Sequence, residues 1–303
     1  MKKRLFAYFV CGIMLICLFI SGCTPKDHIE NAVVCTSFAQ YDFVKHIVGD
    51  KAEVVMLIHP GSEAHDYEPS AGDIKTVSSS SLFVYNGGES EAWVERLISS
   101  SDGVNRLKLL DCCETPLYLN GEDGVEIDEH IWTSPKNALL MCEKIYIALT
   151  SLYPESKDYF EQNYNALVAS LKALDNSFTE LAMRLDGQAV IIGDRNPFGY
   201  LARDYGIEML AAFHGCGHES EPSAAELKAL IDKAREQNAD VVFYVDFSNG
   251  KIARTIASEL GNTKILHLSS CHNVSQKDFN EKSYCDLMTE NINNLLEVCN
   301  AAD

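Results

Sequence analysis

From residue 31 onward, short runs of apolar and β-branched residues alternate with amphipathic stretches. "NAVVCTSF" reads as a strand, "AQYDFVKHIVG" as a helix and "AEVVMLI" as a second strand; "LFVYN" at 82–86 is a third, followed by the helical "EAWVERLISS". Strands that alternate with helices build parallel βαβ units around a buried sheet. The alternation restarts after residue 187 with "QAVIIG", "PFGYLARDYG" and "IEMLAAF", then "SAAELKALIDKAREQN", "ADVVFYVD", "GKIARTIASELG", "KILHLS" and a closing helix near 283–299. The pattern predicts an α/β fold of two βα lobes with parallel central sheets.

Between the halves, Tyr164, Leu167, Leu171, Leu174, Phe178, Leu181 and Leu185 recur at steps of three and four, one continuous apolar stripe on an α-helix. Pro154 and Gly187 punctuate its two ends. At 1.5 Å per residue such a helix runs roughly 45 Å, long enough to bridge two lobes. A lone seam of this kind inside an α/β chain packs on its own core rather than on a second copy, so a monomer is expected.

The first residues change the picture of where the chain works. Lys2, Lys3 and Arg4 precede an apolar run from Leu5 to Ile20, and Ser21 and Gly22 lead into Cys23. That order describes a secretory signal, and "ISGC" resembles the bacterial lipobox, whose cysteine is lipidated and becomes the mature N-terminus. The chain then divides into a signal peptide (1–22), a tether (23–31), an N-terminal lobe (32–153), the linking helix (154–187) and a C-terminal lobe (188–303). The expected location is extracytoplasmic, with Cys23 carrying a lipid anchor to the cell membrane.

The whole chain carries a net charge of −19, and the signal takes three of its positive charges with it. So acidic a chain lacks the basic face that nucleic acid needs, and its field attracts cations. Eight cysteines remain beyond Cys23, and eight thiols allow 105 full pairings.

Two of the nine histidines sit in loops beside the predicted strands and helices. His65 follows the strand "VVMLI" in "HPGSEAHDYEPSAGDI", and His130 precedes a helix in "DEHIWTSPKNALLMCEKI". In open α/β sheets the ligand crevice lies at the carboxyl ends of the strands, where loop histidines converge. Imidazole is a standard ligand of Zn²⁺, and neighbouring acids fix its tautomer from outside the coordination shell. His28 in the tether, His46 on a helix face, His59 in a loop and His267 in a strand read as ordinary residues.

"AHDYEPS" and "DEHIWTSP", with the long helix and the lipobox, resemble the zinc/manganese-type solute-binding lipoproteins of bacterial ABC importers. "FGYLARDYGIE", "EPSAAEL" and "SYCDLMTENINNL" extend the resemblance over essentially the whole mature chain. It implies one divalent ion held as cargo between the lobes, an ABC permease as partner, and His65 and His130 as the first two ligands. The family's third ligand position falls on Arg195, whose guanidinium has no lone pair to give. The fourth position falls on His272. Candidates for the missing ligand, or for supporting contacts, are Asp246, Asp194 and the loop residues His214, Cys216, His218 and Glu219. A buried Arg195 needs a carboxylate, for which Asp246 or Glu219 is available. Cys216 and Cys271 flank these loops as thiolate ligands or as a disulfide, the latter favoured in an exported protein.

The function expected is a lipid-anchored metal receptor rather than an enzyme: the chain shows no HExxH and no G-x-S-x-G. Three imidazoles favour Zn²⁺; two carboxylates in the set would favour Mn²⁺. A manganese or iron receptor, a metal-dependent hydrolase and a surface adhesin are the alternatives.

Overall fold

The computed structural model describes residues 31–99, 103–121, 124–213, 222–261 and 263–300. The signal and most of the tether, with Cys23 and His28, lie outside them, as do His214, Cys216, His218 and Glu219.

Four parallel strands form the first sheet, in the order β2-β1-β3-β4: β1 Val33–Cys35, β2 Val54–Met56, β3 Leu82–Tyr85 and β4 Arg106–Lys108. A second sheet, also parallel, runs β10-β9-β7-β8 from β7 Val190–Arg195, β8 Met209–Phe213, β9 Val241–Val245 and β10 Lys264–Leu268. An antiparallel hairpin, β5 Tyr118–Gly121 and β6 Gly124–Ile127, stands apart from both. Consecutive residues of a strand feed opposite faces. Val33 and Cys35 join the central core while Val34 packs in an outer cluster with Phe83, Tyr85 and Trp93; Val241, Phe243 and Val245 face the centre while Val242 faces outward. Both faces are therefore apolar, as the uninterrupted strand runs predict.

The helices are α1 Phe38–Val48, α2 Ala71–Ser78, α3 Ala92–Ser99, α4 Pro135–Leu152, α5 Lys157–Leu185, α6 Gly199–Tyr205, α7 Ala224–Glu236, α8 Lys251–Leu260, α9 Gln276–Glu281 and α10 Tyr284–Asn300. The 29-residue α5 bridges the lobes. Pro154 opens a 3₁₀ turn, Pro154–Ser156, ahead of the helix rather than the helix itself. Asp186 and Gly187, with φ of 47° and 82°, turn the chain out of it. Leu167, Leu171, Leu174, Phe178, Leu181 and Leu185 are buried in the central core, which draws residues from both lobes. Tyr164 is only half-buried and stacks on Tyr146 at 4.5 Å.

Among the described residues no helix is long and apolar enough to cross a membrane. In both sheets the cleft lies at the carboxyl ends of the strands, where the strand order reverses between β1 and β3 and between β7 and β9.

Candidate metal centre

Each sequence-predicted histidine reaches the cleft by a different route. The chain leaving β2 runs through Pro60 and Gly61 to His65, and Gly61 donates its amide to the Val274 carbonyl at 2.7 Å. His130 comes after the hairpin, where its carbonyl takes the Thr133 hydroxyl at 2.8 Å and a 3₁₀ turn, Ile131–Thr133, leads into α4. His272 follows β10 in a turn that forces Cys271 to a φ of 55°, an uncommon conformation for a residue with a side chain.

The turn bearing His272 is held by both lobes. Asp246, just past β9, accepts the Ser270 amide at 2.5 Å and the Ser269 hydroxyl at 3.1 Å. From the other lobe, Trp132 donates its indole N–H to the Ser270 carbonyl at 2.8 Å, and the Phe38 amide reaches the His272 carbonyl at 3.0 Å. Asn273 donates to the carbonyls of His59 and Ser62, both at 2.8 Å. A loop of one lobe is thus fixed against the other.

The three imidazoles converge. The His65 and His272 rings lie 4.8 Å apart, centroid to centroid, His65 and His130 5.8 Å, and His130 and His272 5.7 Å. Glu129 joins them: ligand atoms of His65, Glu129, His130 and His272 all lie within 4.8 Å of one another. A zinc tetrahedron with bonds of ~2.1 Å has edges of about 3.4 Å, so no pair of donors needs to close in by more than about 1.4 Å. The adjoining pocket, lined also by Arg195, Pro197 and Phe247, has a free volume of about 20 Å³, room for a single water-sized body.

Carboxylates orient two of the rings. Glu63 Oε1 accepts from His65 Nδ1 at 2.8 Å, and Asp128 Oδ1 from His130 Nδ1 at 2.8 Å. An ionised carboxylate only accepts, so Nδ1 carries the proton in each ring and Nε2 keeps its lone pair for the centre. His65 Nε2 lies 3.6 Å from Glu129 Oε1. The third ring has no such acid. His272 Nδ1 is buried without a hydrogen-bond partner among the described residues, and burial first, then the charges of His65, His130 and Arg195, pushes its pKa well below the usual imidazole range. It stays neutral and able to bind a cation. Glu129 Oε1 is likewise buried without a hydrogen bond among the described residues, while its Oε2 accepts the Ser90 amide at 3.1 Å. Gly88, at a φ of 110°, lies so close that a Cβ there would collide with the Glu129 side chain. Orphaned buried polar atoms on two of four converging donors fit a bound cation.

Arg195 departs from the sequence expectation in its partner. It pairs across the cleft with Glu63, Nη2 to Oε2 at 2.9 Å, and not with Asp246. Asp246 is committed to His267 at 2.9 Å and to the Ser269–Ser270 turn. Burial opposes the charge on Glu63, yet the His65 hydrogen bond and the Arg195 guanidinium together hold its pKa at about 2. Asp194 accepts the Arg195 amide at 2.9 Å and stands outside the four-donor cluster. His46 bonds to Asp42 on α1, His59 is exposed and His267 sits in β10, all away from the cluster. Cys271 is buried; its proposed pairing with Cys216 involves a residue outside the described ones.

Glu129 is the residue that sequence reasoning missed as a donor. The acids ahead of His130 read only as tautomer-fixing neighbours, the part that Asp128 takes.

The family profile described as "Zinc-uptake complex component A periplasmic" matches residues 33–298. The high-affinity zinc uptake system protein ZnuA of Bacillus subtilis is 32% identical over 276 residues, covering 87% of this chain and 86% of that protein. The zinc-binding lipoprotein AdcA of Streptococcus pneumoniae is 29% identical over 294 residues, 92% of this chain, which spans only 58% of AdcA's length. The crystal structure of the Zn(II)-bound ZnuA-like domain of S. pneumoniae AdcA superposes with a TM-score of 0.75 at 29% identity, covering 89% of this chain and 99% of that domain.

Proposed function

The chain belongs to the family of periplasmic zinc-uptake complex A components, and on that premise we propose that it captures Zn²⁺ outside the cytoplasm and hands it to an ABC permease. His65, Glu129, His130 and His272 hold the ion. The observation that carries this reading is the meeting of four donor groups within 4.8 Å. Three imidazoles and one carboxylate suit zinc; manganese prefers a set richer in oxygen. Four protein donors fill a tetrahedron and leave no open position for the activated water of a hydrolase, which supports cargo binding over catalysis. Residues 1–22 direct export, Cys23 carries the lipid, and the tether to residue 31 lets a single copy of the two-lobed body meet the permease at the membrane surface.

Metal analysis of protein purified without chelators tests the reading: one zinc per chain is expected. Calorimetry with Glu129→Gln should show affinity reduced by at least tenfold, since the variant loses the only anionic donor. Equal affinity in variant and parent would remove Glu129 from the site.

A further inference from the structure

The two orienting carboxylates are held differently. Asp128 is a short side chain, 1% exposed, whose Oδ1 takes both the backbone amide of His130 at 3.0 Å and its ring at 2.8 Å. Ring and carboxylate share one turn of backbone and move together. Glu63 has one more torsion, is 25% exposed, and sits more loosely on the His65 amide at 3.4 Å. What immobilises its second oxygen is Arg195, which ends β7 in the opposite lobe. The pairing of β7 with β8 is irregular between Ile192 and Arg195, and such irregularities re-aim side chains beside functional sites. Asp194 fixes the Arg195 backbone amide as well.

We infer that Arg195 is a positioning residue that couples lobe closure to metal affinity through Glu63 and His65. The inference rests on His65 being a zinc ligand. When the lobes are together, the guanidinium holds Glu63, Glu63 holds the His65 ring with Nε2 toward the centre, and the ion is gripped from both sides. When the lobes part, His130 keeps its carboxylate but Glu63 loses its second contact. The ring of His65 then gains rotational freedom, so the hold of the N-terminal lobe on the ion weakens as His272 withdraws with the other lobe. A lysine would supply charge but only a point contact, without the planar guanidinium reach.

The test compares zinc dissociation, measured by competition with a chromogenic chelator, in the parent, Arg195→Met, Arg195→Lys, Glu63→Gln and the double variant Arg195→Met/Glu63→Gln. Loss of an outer contact to a metal-bound histidine costs 10–100-fold in affinity. Arg195→Met should fall in that range, mainly through faster dissociation, with Arg195→Lys between it and the parent. The double variant should be no worse than the weaker single one, because both substitutions cut one chain of contacts. The visible spectrum of the Co²⁺-loaded Arg195→Met protein should differ from that of the parent, a change that general destabilisation of the fold does not produce. Unchanged dissociation and spectrum in folded Arg195→Met, or effects of Arg195→Met and Glu63→Gln that simply add, would overturn the coupling while leaving the zinc site standing. Wild-type dissociation and spectrum in His65→Ala would overturn both.

Discussion

One residue on from Ser90, whose amide holds Glu129, Glu91 buries its carboxyl and accepts the Gly87 amide at 2.6 Å. Burial pushes its pKa up to about 7, against the hydrogen bond from the Gly87 amide and with a further push from Glu129. Its folded pKa lies above its unfolded one, so its contribution to stability is complete below about 4.5 and fades as pH rises through about 7. Glu91→Gln keeps the acceptor for Gly87 and removes the ionisation. Urea unfolding of metal-free protein should show the parent losing on the order of 1–3 kcal/mol between pH 4.5 and 8 that the variant keeps; parallel profiles would count against a buried, protonated Glu91. Residues of this kind mark where sequence reading stops. His65 and His130 were legible because each stands in a distinctive loop next to a predicted strand or helix. Glu129 and Glu63 were not, since their roles depend on Gly88 and Arg195, 41 and 132 positions away along the chain. The same distance effect hides the Glu63 contact of Arg195: the sequence offers partners only within its own lobe, Asp246, which is engaged elsewhere, and Glu219, which lies outside the described residues.

At the level of elements, the buried strands and the long helix were readable because burial on both sheet faces, or along one helix stripe, leaves a periodic apolar record. Phe178 is fully buried in the middle of that stripe. Phe178→Ala should therefore cost about 3–5 kcal/mol, read as a lower urea midpoint with little change in slope; a loss under 1 kcal/mol would mean that α5 is not packed through this face. Elements that bury little left no such record. β4 carries Arg106 and Lys108 at a sheet edge, where charge protects against unwanted pairing. The β5–β6 hairpin exposes Tyr118, Val125 and Ile127, so its alternation marks no core. Short α9, Gln276–Glu281, has no buried residue and leaves no apolar pattern to read; Ser275 caps it by accepting the Asp278 amide at 3.1 Å.

Across the whole molecule, the lobes meet at the cleft, through Trp132 to Ser270, Asn273 to the His59–Ser62 turn, Tyr200 to the Asp128 carbonyl at 2.7 Å and Arg195 to Glu63, and also beyond it, through the Tyr284 amide to Asp42 at 3.0 Å, Lys136 to the Asp204 carbonyl at 2.9 Å and the shared core. The net charge of −19 places this cleft in a field that draws cations toward it. Zinc held by the four donors has a distinct local structure, which X-ray absorption at the zinc edge reads. Zinc-loaded parent protein should give four nitrogen or oxygen neighbours at about 2.0–2.1 Å, three of them imidazoles by their outer-ring scattering; His272→Ala should lower the imidazole count by one. A sulfur neighbour in the parent, or an unchanged imidazole count in His272→Ala, would mean that the ion is held by other residues.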